Sequence, residues 1–319
     1  MRTLAAFLLA GFLATPAGAA DRVIVRGDLG YEAQRLTSLQ SGTEIDLGSA
    51  LFRVGISRNP APTALRGCDV GRGDINRYPF AIEASPEVRI LGGRFDGEAP
   101  LGSDWIHTYC NSSAIRLETS PGATVRQARL RRVWDGIRID PGSDAFSIAR
   151  VWMSEVRDDC VENDHLHQGV IRDSLFDGCF AGISIAPISK TQSQGELRLE
   201  RVLLRMEEYS YRGAPRHALP IKVKVPGQKL VIRDTIFAVS TSNAVGGEHI
   251  ETMWGSIARC SGNRLLWLGD GPLPDLWRGA PACFEIVEGA AAADQWDEAV
   301  AQWRDNNRDA PRFDSDQGA

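Results

Sequence analysis

A short phrase recurs along this chain at a step too small for most folds. Asp135-Gly136-Ile137-Arg138-Ile139, Asp159-Cys160-Val161-Glu162-Asn163 and Ala181-Gly182-Ile183-Ser184-Ile185 follow one another at 22 to 24 residues, and Pro220-Ile221-Lys222-Val223-Lys224 follows after a longer gap. Ile137, Val161, Ile183 and Ile221 fall in one column and Ile139, Asn163, Ile185 and Val223 in another. Arg138, Glu162, Ser184 and Lys222 alternate with them. Apolar and polar positions alternating with period two mark strands with one face inside. The step leaves no room for a crossover helix between strands, so a doubly wound α/β fold is excluded. Stacked turns of a solenoid write this pattern.

A second phrase, apolar-x-Arg-x-x-apolar, stands at Ile148/Arg150/Met153, Val170/Arg172/Leu175, Leu199/Arg201/Leu204 and Val231/Arg233/Ile236, with an arginine-free copy at Val125/Gln127/Leu130. The two phrases alternate, so each coil holds at least two strands, and each kind stacks on itself as a parallel sheet. The expected architecture is all-β, a parallel β-helix of about eight to ten coils.

The ends read differently. Residues 1–20 combine Arg2, the apolar run Leu4 to Leu13 and Ala17-Gly18-Ala19-Ala20, which is the form of a secretory signal peptide. Export to the periplasm or the medium is the expectation, and no other run is long enough for a membrane span. Residues 21–289 are assigned to the β-helix, with a first strand in Asp21 to Gly27, a capping helix in Tyr31 to Gln40, a loop in Asn59 to Asn76 and a last strand near Phe284 to Glu288. In Val88 to Gly97, two strands flank a Gly92-Gly93 corner. Residues 290–319 are assigned to a capping helix and a polar tail. Trp296, Val300 and Trp303 fall at helix spacing, to cover the open end, and Asn306 to Ala319 is expected to fray.

Without Arg2 the chain carries 35 basic and 41 acidic side chains. That modest negative balance gives no clustered positive face for nucleic acid. Six cysteines (Cys68, Cys110, Cys160, Cys179, Cys260 and Cys283) match no zinc spacing and, after export, read as two or three disulfides. Sequential pairing is the simplest connectivity, and Cys160 with Cys179 stand on adjacent coils. The chain is expected to be a monomer.

The chemistry gathers on the outward positions of the first phrase. Arg138, Asp140, Glu162, Asp164, Ser184, Lys222 and Lys224 share a face, with Asp135, Asp158 and Asp159 at the strand entrances and His165 and His167 just beyond. Neighbouring coils lie about 4.8 Å apart, so the carboxylates crowd unless a cation, a shared proton or basic neighbours offset them. Such clustering points to a functional site. The insertion Glu207 to Leu219, just ahead of Lys222, is a candidate wall for it.

At these residues the chain resembles the pectin-lyase-like right-handed β-helix group, with a motif order similar to polygalacturonases. The resemblance spans roughly Val88 to Val225. Val88-x-Ile90-x-Gly92-Gly93-x-Phe95-Asp96-Gly97 followed by Trp105 resembles an early Gly-rich turn, Trp134-Asp135-Gly136-Ile137 an Asn-Thr-Asp-Gly motif, and Asp158-Asp159-Cys160-Val161 an Asp-Asp-Cys motif. The chain departs from that pattern where Ala181 replaces a histidine, Pro220 an arginine and Val133-Trp134 an Asn-Thr pair. The resemblance implies an inverting glycoside hydrolase acting on an acidic polysaccharide with no required cofactor. Asp135, Asp158 and Asp159 would be its catalytic carboxylates and Lys222 the holder of a substrate carboxylate, with Arg138, Glu162, Asp164, His165 and Lys224 around it. A polyuronide lyase or epimerase would use the same face with Ca²⁺ on Asp140, Glu162 and Asp164, and Lys222, Lys224, Arg138 or His165 as base or anion partner. The departures keep a third reading beside these, a non-catalytic glycan-binding or structural β-helix.

Overall fold

A computed structural model describes residues 21–55, 77–108, 112–187 and 195–316. The signal-peptide stretch, the Asn59 to Asn76 loop up to the last residue before Arg77, and Cys68 and Cys110 lie outside the described residues. The architecture is a right-handed parallel β-helix with short helices. Among the described residues every strand pairing is parallel except that of one hairpin, Tyr209–Tyr211 with Ala214–Arg216.

The predicted column of the first phrase is the interior ladder of one sheet. Ile137 pairs with Val161, Val161 with Ile183 and Ile183 with Ile221, and the column extends backward through Ile115 to Phe80. All six are fully buried. Gly136 and Gly182 precede this column because the next coil lies against them. A Cβ on Gly136 would sit 2.4 Å from the Cys160 carbonyl oxygen, and one on Gly182 2.3 Å from that of Pro220.

The second phrase spans two further sheets and the corner between them. One interior ladder runs Ile90, Val125, Ile148, Ile171, Leu199, Ile232. The other runs Phe95, Leu130, Met153, Phe176, Leu204, Phe237, Leu265. The predicted alignment is therefore one residue off in two of its four copies. Val170-Ile171 and Val231-Ile232 are adjacent apolar pairs, and a period-two pattern does not say which member points inward; stacking on Ile148 and Leu199 selects the second. The corner column becomes Gln127, Arg150, Asp173, Arg201, Asp234, all at positive φ. It alternates in charge from Arg150 onward, with Arg201 Nε 2.6 Å from Asp173.

Two expected end caps are corrected. Tyr31 to Gln40 contains a strand, Gln34–Thr37, in parallel register with Phe80–Glu83, and Leu36 stacks on Ile82. Completing a coil satisfies backbone groups that an isolated one-turn helix would leave open. The C-terminal helix is present (Ala290–Asn306) but lies along the flank. Trp296, Val300 and Trp303 cover an outward apolar row formed by Trp152, Leu175, Leu203 and Ile236 on successive coils, with Ala238 and Leu266 beside it. Leu175 and Ile236, expected inside, belong to this row. The tail from Asn307 to Asp316 is docked rather than frayed, residues 317–319 lying outside the described residues: Asp309 bonds Gln127 and Arg150, Phe313 lies under Arg131, and Asp316 pairs with the buried Arg129. Disulfides join Cys160 to Cys179 and Cys260 to Cys283, in the sequential order expected.

Candidate active site

Asp158 and Asp159 stand where the strand Trp152–Glu162 bulges against its neighbour, the register slipping between Val156 and Asp159. The slip turns two consecutive carboxylates and Arg157 to positions that regular alternation would not give them. Asp135 lies one coil away; its Oδ1 accepts the Asp159 N–H at 3.2 Å. Arg138 Nη2 bonds Asp135 Oδ2 at 2.8 Å and also contacts Glu162, and Lys222 Nζ bonds Asp159 Oδ2 at 2.8 Å. Oxygens of Asp135, Asp159 and Glu162 lie within 4.8 Å of one another.

Asp135 and Asp159 are 2% and 3% exposed, and Asp158 6%. Burial pushes Asp135 and Asp158 up to about 6 and Asp159 up to about 7; Arg138 opposes the shift at Asp135, and Lys222 opposes it at Asp158 and Asp159. Burial also works against the charge on Lys222, but Asp159 and Asp158 more than restore it and hold the ammonium well above the usual lysine range.

Of the three aspartates, Asp158 is the one that lines a cavity. This space of about 260 Å³ is lined by Asp158, Lys222 and Lys224 together with Trp105, Phe180 and Tyr211, and Trp105 hydrogen-bonds Asp158. Phe180 stacks on Tyr211 at 5.8 Å, and Trp105 leans on Tyr211 at 5.6 Å. The predicted wall is thus the hairpin Tyr209–Arg216, which brings Tyr211 to the site. Larger clefts elsewhere, such as that of about 480 Å³ beside Phe146, Gln168 and Arg198, include none of these three aspartates in their lining.

Two expected members are engaged by other partners. His165 is 4.0 Å from Asp140, which is itself bonded to Arg116, and it does not reach the cavity. Asp164 accepts from the Ser184 hydroxyl at 2.5 Å and the Ala186 N–H at 2.9 Å. The carboxylates that converge are therefore Asp135, Asp159 and Glu162, not the Asp140, Glu162 and Asp164 set expected for Ca²⁺.

Arg157 was missed. It is fully buried, lies over the Trp134, Phe180 and Tyr209 rings, and donates Nη2 to the carbonyls of Ser103 and Ser210. It thereby ties the segment before Trp105 to the hairpin that carries Tyr211. Nothing in its sequence setting separates it from the solvent-facing arginines of other coils.

His217 directly precedes Ala218 of the cavity lining. Its Nε2 accepts the N–H groups of Ser240 and Thr241, each at 3.0 Å, so Nδ1 carries the proton and donates to the Ala218 carbonyl at 2.7 Å. Burial lowers it to about 4. A lowered histidine contributes stability that is fully present above its unfolded value near 6.5 and is lost as pH falls toward 4. The stability advantage of the wild type over His217→Gln, read from denaturation curves, therefore shrinks as pH is lowered through that window, by an amount on the order of 3 kcal/mol. A constant difference would show that His217 does not titrate there.

No protein-family model, curated protein or solved structure matches the chain.

Proposed function

We propose that this protein is an exported glycoside hydrolase of acidic polysaccharide, with Asp158 as proton donor and Asp159, assisted by Asp135, activating water. The observation that carries this reading is the cavity itself: a carboxyl group raised toward neutrality lines it together with two lysines and three aromatic rings. Aromatic faces suit the apolar faces of sugar rings, and lysines suit a uronate carboxylate. An acid raised to about 6 keeps a proton at mildly acidic pH, and the Lys222 ammonium on Asp159 Oδ2 favours the ionised form of that neighbour, which divides the acid and base roles. The polygalacturonase-like order of Asp135, Asp158, Asp159 and Lys222 supports the same assignment.

The lyase reading fares less well on these residues. Its base must be neutral, whereas Lys222 is held protonated by Asp159 and Arg138 is clamped between Asp135 and Glu162. A binding protein remains the second reading, favoured by how fully Asp135 and Asp159 are covered. The two disulfides are compatible with an oxidising compartment, and among the described residues no helix is long and apolar enough to cross a membrane.

Incubation of the mature protein with a panel of polyuronides tests the proposal. New reducing ends without ultraviolet absorbance are expected, together with weaker binding of an acidic oligosaccharide by Lys222→Ala. Unsaturated, absorbing product would assign a lyase. Binding without turnover would leave the β-helix as a glycan-binding protein.

A further inference from the structure

Arg138, Glu162, Ser184 and Lys222 are in register on four neighbouring strands. Arg138 reaches back to Asp135 and sideways to Glu162, while Lys222 reaches past Ser184 to Asp159. Three carboxylates therefore share two cations in a largely buried space, with the Lys222 side chain 26% exposed. Asp158 and Asp164 lie beside them and add negative charge, and Tyr78 covers the far side of Arg138. In addition, Asp159 Oδ1 is buried and accepts no hydrogen bond.

A surplus charge in a buried cluster is expensive unless a proton or an ion neutralises it. From this geometry we infer that Glu162 is a resident neutral acid that presents its proton to the Asp159 carboxylate. Glu162 is the member suited to this role. Asp135 has both oxygens engaged, by Arg138 and by the Asp159 N–H, and Asp159 has Lys222 on Oδ2, whereas Glu162 has the longer side chain and only a share of Arg138. Burial, then the Asp135 charge, pushes it up to about 10. A proton on Glu162 lets Asp159 stay ionised beside Lys222, which is the state a water-activating base needs. The protonation stands independently of the hydrolase reading; its catalytic use rests on that reading and makes Glu162 a positioning residue.

Infrared spectroscopy of the intact mature protein at about pH 8.5, where ordinary carboxyls are ionised, tests this directly. A neutral-carboxyl band is expected in the wild type and is lost in Glu162→Gln. A raised carboxyl contributes stability that is present at low pH and lost as pH rises through its folded value. The melting temperature of Glu162→Gln relative to wild type should therefore climb steadily from about pH 5 to about pH 9. Absence of the band in the wild type, or a gap that narrows with rising pH, overturns the inference. So does bleaching of the band by added CaCl₂ with a rise in melting temperature, which would assign the triad to a cation. Should Glu162→Gln not fold, the wild-type band decides alone: presence at about pH 8.5 supports the resident proton and absence overturns it. A negative polyuronide screen leaves these readouts untouched.

Discussion

Asp158→Asn lowers turnover of a susceptible polyuronide at least about a hundredfold, the scale expected when a general acid is lost, while oligosaccharide binding survives. Asp158 is the buried carboxyl in the lining of the aromatic cavity, and asparagine keeps its shape but has no proton to give. The wild-type rate should fall as pH rises above about 6, because the acid must be protonated and burial places it there. That alkaline limb should vanish from whatever activity the variant retains. Asp159→Asn should also collapse turnover, since Asp159 holds Lys222 in place. Retention of more than about a tenth of wild-type turnover by Asp158→Asn would remove it as the acid.

Asp316→Ala destabilises the fold by about 3–5 kcal/mol, the cost of leaving one partner of a buried ion pair alone. Arg129 is almost fully buried, bonded through Nε at 2.9 Å and Nη2 at 3.0 Å to the two Asp316 oxygens, with Trp152 and Phe313 against its guanidinium. Losing the carboxylate strands that charge under the C-terminal strap. Asp309→Ala serves as the comparison: its bond to Arg150 is exposed, so it should cost no more than about 1 kcal/mol. Denaturant midpoints of the two variants check both values. Equal, small losses would mean that the strap lifts off without consequence.

The repeat step and the Ile137, Val161, Ile183, Ile221 column determined the β-helix from sequence alone, because period-two alternation at a fixed short step has few other solutions. The carboxylates were legible too, since outward positions at one point of a repeat must meet on neighbouring coils. Register within Val170-Ile171 and Val231-Ile232 was not legible, because both residues are apolar and only the stack beneath chooses between them. The place of the C-terminal helix was equally hidden. Its stripe announces burial, but only the assembled flank, with Trp152, Leu175, Leu203 and Ile236 in a row, supplies the surface it covers. Which aspartate lines the cavity and which are sealed beneath Arg138 and Lys222 was decided by the bulge at Val156 to Asp159. A bulge depends on how one coil fits the next, so the sequence of a single coil does not contain it.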